Sequence, residues 1–204
     1  MKSSVKISCI ECGEQQKRHL TGLTLANEEL QEDANIEFQK MFAQAMCPSA
    51  DSCPRCGGVR RWGDRKFTEV PPILIVELPP EVAVSTIFKH LSDIPDWLKV
   101  PHMHFEKPLP TRPGETDKEV CYLLTGATFA DGHHYRGAFL ATEYNEATPH
   151  GWYQYDGLSG QTAVGPRPPK TPTGSLMSYL VYTQLCEAFS AELLRIIEWC
   201  DNLP

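Results

Sequence analysis

The chain has 204 residues, which is enough for one domain with a sizeable core or for a domain with a small attached module. Acidic residues outnumber basic ones by 26 to 19, and the formal charge of −7 argues against nucleic acid as a partner. The first ten residues lack the apolar run of a signal peptide or a membrane helix, so we expect an intracellular protein, cytoplasmic or nuclear, with no membrane partner.

The first part of the chain predicts two cysteine turns with a helix between them. Residues 5–25 indicate a strand, a Cys-x-x-Cys turn and a returning strand, and apolar side chains recur at helical spacing over residues 27–46. The second Cys-x-x-Cys turn leads into residues 59–70, which alternate as a strand does. Residues 73–78 are apolar almost without interruption, which predicts a buried strand.

The rest of the chain predicts an antiparallel sheet and a final helix. Residues 79–117 are rich in proline and predict a loop with an edge strand. Three strands follow in a meander, and a proline-rich loop then separates them from one more strand. Residues 185–199 predict an amphipathic helix. The four strands are predicted at residues 120–129, 136–142, 151–156 and 175–182.

The two Cys-x-x-Cys pairs are separated by 40 residues and offer four thiolates. Without a secretory signal such pairs favour a metal over disulfides, and four thiolates suit one tetrahedral Zn²⁺ with a purely structural role. Reduced thiols in hairpin turns or a redox pair are alternatives, and His19 or Cys47 could replace one ligand. The predicted ligands are Cys9, Cys12, Cys53 and Cys56.

A histidine and an aspartate occupy two strands of the predicted meander. His134 lies at the start of one strand, and Asp156 lies on the next. A carboxylate that accepts from one imidazole nitrogen fixes the tautomer and leaves the other nitrogen free to take a proton from a nucleophile. The same residue types also fit a turn histidine with an exposed capping aspartate, so the residues alone leave both interpretations open.

The order of these motifs resembles that of the ubiquitin-specific proteases, which are papain-like cysteine peptidases built as thumb, palm and fingers. The resemblance covers roughly residues 5–182 and depends on the ordered series more than on any single motif. Besides the two cysteine pairs, the series contains Val70-Pro71-Pro72-Ile73-Leu74-Ile75-Val76-Glu77-Leu78, Tyr122-Leu123-Leu124, Gly132-His133-His134-Tyr135, Trp152-Tyr153-Gln154-Tyr155-Asp156 and Ser178-Tyr179-Leu180-Val181-Tyr182.

The resemblance implies an α+β fold in which an antiparallel papain-like palm sheet carries a zinc-ribbon fingers subdomain, with the thumb missing. It implies that His134 is the general base and Asp156 its orienting acid in the thiol-dependent hydrolysis of ubiquitin isopeptide bonds. The four cysteines fall on the fingers, which grip ubiquitin or a ubiquitin-like protein. The implied boundaries are 1–66 for the fingers with the helix, 67–183 for the palm and 184–204 for the terminal helix.

The chain departs from the family pattern in three places. The asparagine-rich segment that carries the family's nucleophilic cysteine has no counterpart in these residues. His133 stands where the family often has glycine, and Gly157 stands where a second acid is common. Cys121, Cys186 and Cys200 do not replace the nucleophile, because each is predicted to be a small apolar core residue.

Two hypotheses of different class follow. The first is a deubiquitinase-type cysteine peptidase without its nucleophile, either a fragment of a longer enzyme or a product lacking its first third. The second is a non-catalytic module that binds ubiquitin or another protein. A zinc-ribbon nucleic-acid binder is a distant third, suggested by a group of basic residues near the cysteine turns. These are Lys17, Arg18, Arg55, Arg60, Arg61, Arg65 and Lys66.

Overall fold

The computed structural model describes residues 2–20, 22–25, 34–46, 52–80, 88–107, 119–141 and 151–185. Within these ranges the protein contains eleven strands, one α-helix and two short 3₁₀ turns at Leu91–Asp93 and His102–His104. The elements are β1 (Ser3–Cys9), β2 (Gln15–Leu20), α1 (Ala34–Met46), β3 (Arg60–Trp62), β4 (Lys66–Phe67), β5 (Ile73–Glu77), β6 (Trp97–Pro101), β7 (Glu119–Ala130), β8 (Tyr135–Ala141), β9 (Gly151–Asp156), β10 (Gly160–Gly165) and β11 (Leu176–Gln184).

Strands β1 to β4 form a small antiparallel sheet with β1 at its centre. β1 pairs with β2 along one edge, and with β3 and β4 at different positions along the other. Because side chains alternate along a strand, Val5 and Ile7 point to one face, where they are buried, and Lys6 points to the other, where it is exposed. The predicted ribbon with a cysteine turn is confirmed.

The other seven strands form a large sheet in the order β10-β9-β8-β7-β11-β5, with β6 paired to the first part of β7. Strands β7, β8 and β9 are the predicted meander, and the edge strand expected within 79–117 is β6. β10 was not predicted, because four of its six residues are exposed and glycine stands at both ends, so no apolar period marks it.

The prediction that 73–78 is a buried strand is wrong for one face of β5. Leu74 and Val76 are completely buried, whereas Ile73 and Ile75 are 50% and 48% exposed. Apolar residues on both faces concealed the alternation that normally separates the inner face of a strand from its outer face.

The helix packs against the large sheet. The ring of Phe38 on α1 lies 6.2 Å from that of Tyr182 on β11 and 6.3 Å from that of Phe88. The buried Tyr182 hydroxyl donates to the Pro95 carbonyl at 2.9 Å, so this polar group is satisfied inside the core. The chain that follows β2 also joins this core, because Leu25 donates its amide to the carbonyl of Glu77 on β5 at 3.0 Å.

Two predictions fall partly or wholly outside the described residues. The predicted helix over 27–46 is confirmed from Ala34 onward, and the final helix lies outside them except for its first residue, Leu185. None of the helices in the described ranges has the length and apolarity that crossing a membrane requires. The proposed boundaries after residues 66 and 183 remain a prediction.

Candidate metal centre and histidine–aspartate site

The two Cys-x-x-Cys turns share one backbone geometry although they come from distant parts of the chain. The amides of Cys9 and Cys53 each donate to the carbonyl five residues later, at 2.9 and 2.7 Å. The amides of Gly13 and Gly57 donate back to the carbonyls of these cysteines, at 3.2 and 2.7 Å. Both glycines have a positive φ, 69° and 75°, which side chains with a Cβ rarely adopt. The turn therefore requires the glycine that follows each cysteine pair.

These turns bring the four predicted ligands together. Sγ of Cys9 lies 3.5 Å from Sγ of Cys56, and Sγ of Cys12 lies 3.9 Å from Sγ of Cys53. All four sulfur atoms lie within 4.8 Å of one another, and the group does not include His19. Sulfurs bound tetrahedrally to zinc at about 2.3 Å stand about 3.8 Å apart. The four side chains therefore fit a single metal ion.

Crowding of the thiols explains why this cluster suits a cation. A hydrogen bond from the Cys12 amide lowers the pKa of Cys9 to about 7. At Cys56 the Gly58 amide acts in the same direction, but the neighbouring Cys9 thiol and burial outweigh it and raise the pKa to about 12. One thiolate forms readily while a neighbour resists ionisation, and a divalent cation supplies the charge that permits four thiolates.

His134 and Asp156 lie together where β8 begins and β9 ends. Nε2 of His134 is 2.7 Å from Oδ1 of Asp156, and the two side chains are 23% and 22% exposed. The register of the sheet explains the contact, because Arg136, two residues after the histidine, is directly opposite Asp156. Nδ1 of the histidine makes no hydrogen bond to any residue that the structure describes.

Two residues that were not predicted from the sequence, Asp131 and Arg136, complete the network. Nε of Arg136 donates to Oδ2 of Asp156 at 2.9 Å, and its Nη1 donates to Oδ2 of Asp131 at 3.2 Å. Oδ1 of Asp131 accepts from the amides of His134 and of the preceding residue, at 2.9 and 3.1 Å. One carboxylate thus holds the ring of the histidine, another holds its backbone, and Arg136 joins the two.

Asp156 is held in its ionised form. Its pKa lies well below the usual range, chiefly because the Leu158 amide donates to Oδ1 at 2.9 Å, and further because His134 and Arg136 donate to the carboxylate. An ionised carboxylate only accepts hydrogen bonds, so Nε2 of His134 must carry the proton that they share. In the neutral ring, Nδ1 is then the nitrogen with a lone pair.

No described cysteine is hydrogen-bonded to His134. Four of the five described cysteines form the cluster. The fifth, Cys121, lies near the start of β7, nine residues before Ala130. Ala130 is the last residue of this strand and leads into the turn that carries His134. Extended chain of that length spans roughly 30 Å. The remaining cysteines, Cys47, Cys186 and Cys200, lie outside the described residues.

No protein-family model matches this chain, and no curated protein matches it in sequence. Solved structures do match. The apo Pan2 pseudoubiquitin hydrolase–RNA exonuclease module of Saccharomyces cerevisiae has a TM-score of 0.60 at 12% identity, over 94% of this chain and 33% of that one. The S. cerevisiae PAN2 pseudoubiquitin-hydrolase matches with a TM-score of 0.55 at 13% identity, over 94% of this chain and 57% of that one. The Ubp8–Sgf11–Sgf73–Sus1 SAGA DUB module matches with a TM-score of 0.50 at 13% identity, over 91% of this chain and 39% of that one.

These likenesses concern the fold. The chain matches between 33% and 57% of the length of the two Pan2 structures, with most of its own residues included. The chain thus shares the fold of these pseudoubiquitin-hydrolase and DUB-module structures, and in its described residues this fold is a mostly antiparallel sheet with few helices. Its own cysteine cluster can hold a metal ion.

Proposed function

We propose that this chain carries the general base and the orienting acid of a thiol-dependent ubiquitin hydrolase, together with a zinc-bound fingers subdomain that contacts ubiquitin. The observation that carries the proposal is the 2.7 Å contact between Nε2 of His134 and Oδ1 of the ionised Asp156, which leaves Nδ1 able to accept a proton. Its support from the comparisons is the fold shared with modules described as a pseudoubiquitin hydrolase and as a DUB module.

The chemistry of this role needs a thiol beside Nδ1 of His134. Nδ1 takes the thiol proton, and the resulting thiolate attacks the carbonyl carbon of the isopeptide bond. The imidazolium, stabilised by Asp156, then gives that proton to the departing lysine amine. Water attacks the thioester and loses a proton to Nδ1, which returns it to the departing thiolate. The described cysteines do not include this thiol.

The metal in this proposal is structural. Cys9, Cys12, Cys53 and Cys56 hold one Zn²⁺, and four protein ligands leave no coordination position for water or substrate. The ion therefore fixes the two cysteine turns against each other and contributes no step of the reaction. The small sheet that ends in these turns corresponds to the fingers, which contact ubiquitin or a ubiquitin-like protein.

A second function, binding of ubiquitin without cleavage, is favoured by one feature of the site. No described cysteine is hydrogen-bonded to His134, and Asp156 already accepts from the Leu158 amide and from Arg136. In this function the network stiffens the turn between β7 and β8, and the turn serves as a contact surface.

Titration of the ¹⁵N-labelled, zinc-loaded chain with ubiquitin tests the feature that both functions share. We expect amide shifts in β1 and β2 and in the turn at residues 131–134, because these are the proposed contact and catalytic regions. A chain that shows no shifts at millimolar ubiquitin would contradict both functions.

Reaction with a ubiquitin that carries a thiol-reactive electrophile at its C terminus separates the two functions. Although Cys186 and Cys200 are predicted to be core residues, a hydrolase that is complete within this chain requires an adduct on Cys47, Cys186 or Cys200, the cysteines outside the described residues. That adduct should be lost in His134→Ala, because the histidine activates the thiol. Ubiquitin binding with no adduct would favour the non-catalytic function. An adduct on Cys121 that persists in His134→Ala would reflect general thiol reactivity and count against the proposed hydrolase site.

A further inference from the structure

The small sheet has a basic face in a chain whose formal charge is −7. Side chains alternate along β1, so Ser4 and Lys6 share one face with the residues directly opposite them. Lys17 of β2 is opposite Lys6, and Lys66 of β4 is opposite Ser4. Lys6, Lys17 and Lys66 are all exposed. The face formed by these four residues is named the lysine face.

The lysine face works against folding of the sheet. Like charges in directly opposite positions on neighbouring strands destabilise a sheet, and Lys6 and Lys17 are such a pair. Lys17 is compensated by Glu106, whose Oε1 lies 3.0 Å from its Nζ. Neither Lys6 nor Lys66 has an ion pair within the part of the chain that the structure describes. These unpaired charges do not stabilise the folded sheet, whereas they can attract a binding partner.

A groove of about 520 Å³ opens over the lysine face and contains acceptors as well as lysines. Glu106 reaches the groove from the chain after β6, where its amide donates to the Phe67 carbonyl at 2.8 Å. Its Oε1 accepts from Ser4 Oγ at 2.9 Å and from Lys17, which together lower its pKa and keep it ionised. Its Oε2 accepts no hydrogen bond from the described residues. Gly63 and Asp64 complete the lining.

We propose that this groove binds an acidic polypeptide segment. The ammonium groups of Lys6 and Lys66 suit carboxylates of the ligand, and the free Oε2 of Glu106 suits an N–H donor. A polypeptide presents acidic side chains and backbone N–H groups in close succession, which matches this mixed lining. The sugar-phosphate backbone of a nucleic acid has no N–H donor for Oε2 of Glu106, and the groove lining offers no aromatic ring for a base to stack on.

Three probes added to the ¹⁵N-labelled, zinc-loaded chain test the proposal: an octapeptide of alternating glutamate and glycine, the same peptide with glutamine for glutamate, and a length-matched oligouridylate. We expect the glutamate peptide to shift the amides of β1, β4 and Gly63 saturably and the glutamine peptide to leave them unchanged. The double variant Lys6→Glu/Lys66→Glu should weaken binding by about tenfold or more, because each ligand carboxylate then meets a like charge.

A matched control changes the net charge by the same amount elsewhere. Lys99 and Lys170 are exposed and do not line the groove, so Lys99→Glu/Lys170→Glu should bind the glutamate peptide as the unmodified chain does. Bound zinc and circular dichroism establish that both variants are folded, and Lys6→Gln/Lys66→Gln replaces the first variant if it is not.

Three results would overturn the proposal. They are the absence of shifts with the glutamate peptide, an equal loss of binding in the control variant, and tighter binding of the oligouridylate at the same amides. The last result would assign the groove to nucleic acid. Ubiquitin is absent from this titration, so its failure leaves the proposed hydrolase or ubiquitin-binding function untouched.

Discussion

The four-cysteine cluster and the histidine–aspartate site are assembled by different means. The cluster joins two turns separated by 40 residues, and each turn forms the same local hydrogen bonds wherever it lies in the chain. His134 and Asp156 instead meet because the register of β8 and β9 places them together. The cluster therefore depends on local turn geometry, whereas the second site depends on the packing of the large sheet.

The two sites also differ in completeness. The cluster provides four ligands, which is the full set for a tetrahedral structural metal. The imidazole has one nitrogen engaged by Asp156, and its other nitrogen makes no hydrogen bond to the described residues. The first site is thus sufficient for its proposed role, while catalysis at the second requires another group. Disrupting one region while observing the other tests this distinction.

The largest effect is expected from Cys53→Ser, which removes a buried thiolate ligand. We expect loss of stoichiometric zinc and of amide-exchange protection in β1 to β3, since metal binding contributes several kcal/mol or more to the folding of such modules. Protection in β7 to β9 should persist. Cys121→Ala is the control, because Cys121 lies outside the cluster, and it should keep one zinc per chain. Equal zinc content in the two variants would contradict the assignment.

Phe38→Ala probes the opposite region. Its ring is fully buried between α1 and the large sheet, so its removal should lower the free energy of unfolding by about 3–5 kcal/mol. Zinc should remain bound, because the cysteine turns do not depend on this packing. Denaturant unfolding and metal analysis measure the two quantities. Loss of zinc in the folded fraction would show that the two regions do not form independently.

Asp156→Asn tests the ionised carboxylate through pH. The folded-state pKa of Asp156 is depressed, so its contribution to stability is present above the unfolded pKa of about 4 and is lost as the pH falls below that value. The variant should therefore be less stable than the unmodified chain at pH 7, and the difference should shrink at pH 3. Loss of zinc in acid affects both proteins alike. A difference that does not vary with pH would contradict the account.

Arg136→Gln should give the smallest effect. Removing the guanidinium takes away one of the donors that lower the pKa of Asp156, so that pKa should rise toward its ordinary value. Carboxyl ¹³C NMR of Asp156 measures the change. The control is Arg18→Gln, which alters an arginine stacked over Trp62 in the small sheet and should leave the pKa of Asp156 unaltered. An unaltered titration in Arg136→Gln would mean that this arginine does not position the aspartate.

Local signals in the sequence predicted much of the fold. The spacing of the cysteines predicted both turns, and the strands predicted within residues 5–25 and at 120–129, 136–142 and 151–156 correspond to β1, β2 and the β7–β9 meander. The position of β11 between β7 and β5 could not be read in this way, because it depends on pairing between distant segments. The outward side chains of Ile73 and Ile75 were missed for a related reason, since composition does not show which face of a strand is covered.

The candidate sites show the same limit. His134 and Asp156 were predicted on adjacent strands, and the structure places their side chains in hydrogen-bond contact. Asp131 and Arg136 were missed because their role depends on where side chains meet across the turn. One signal was available: Arg136 lies two residues after His134, so the two side chains leave the chain on the same side.

The tautomer of His134 shows whether this residue can act as a general base. We propose that the ionised Asp156 holds the proton on Nε2 and leaves Nδ1 as the acceptor for a thiol. Ring ¹⁵N NMR of the zinc-loaded chain distinguishes the two nitrogens of the neutral imidazole, with the exposed neighbour His133 as the internal reference. We expect that only Nε2 of His134 carries the proton. Protonation of Nδ1 of His134, or a mixture of its two tautomers, would contradict the proposal.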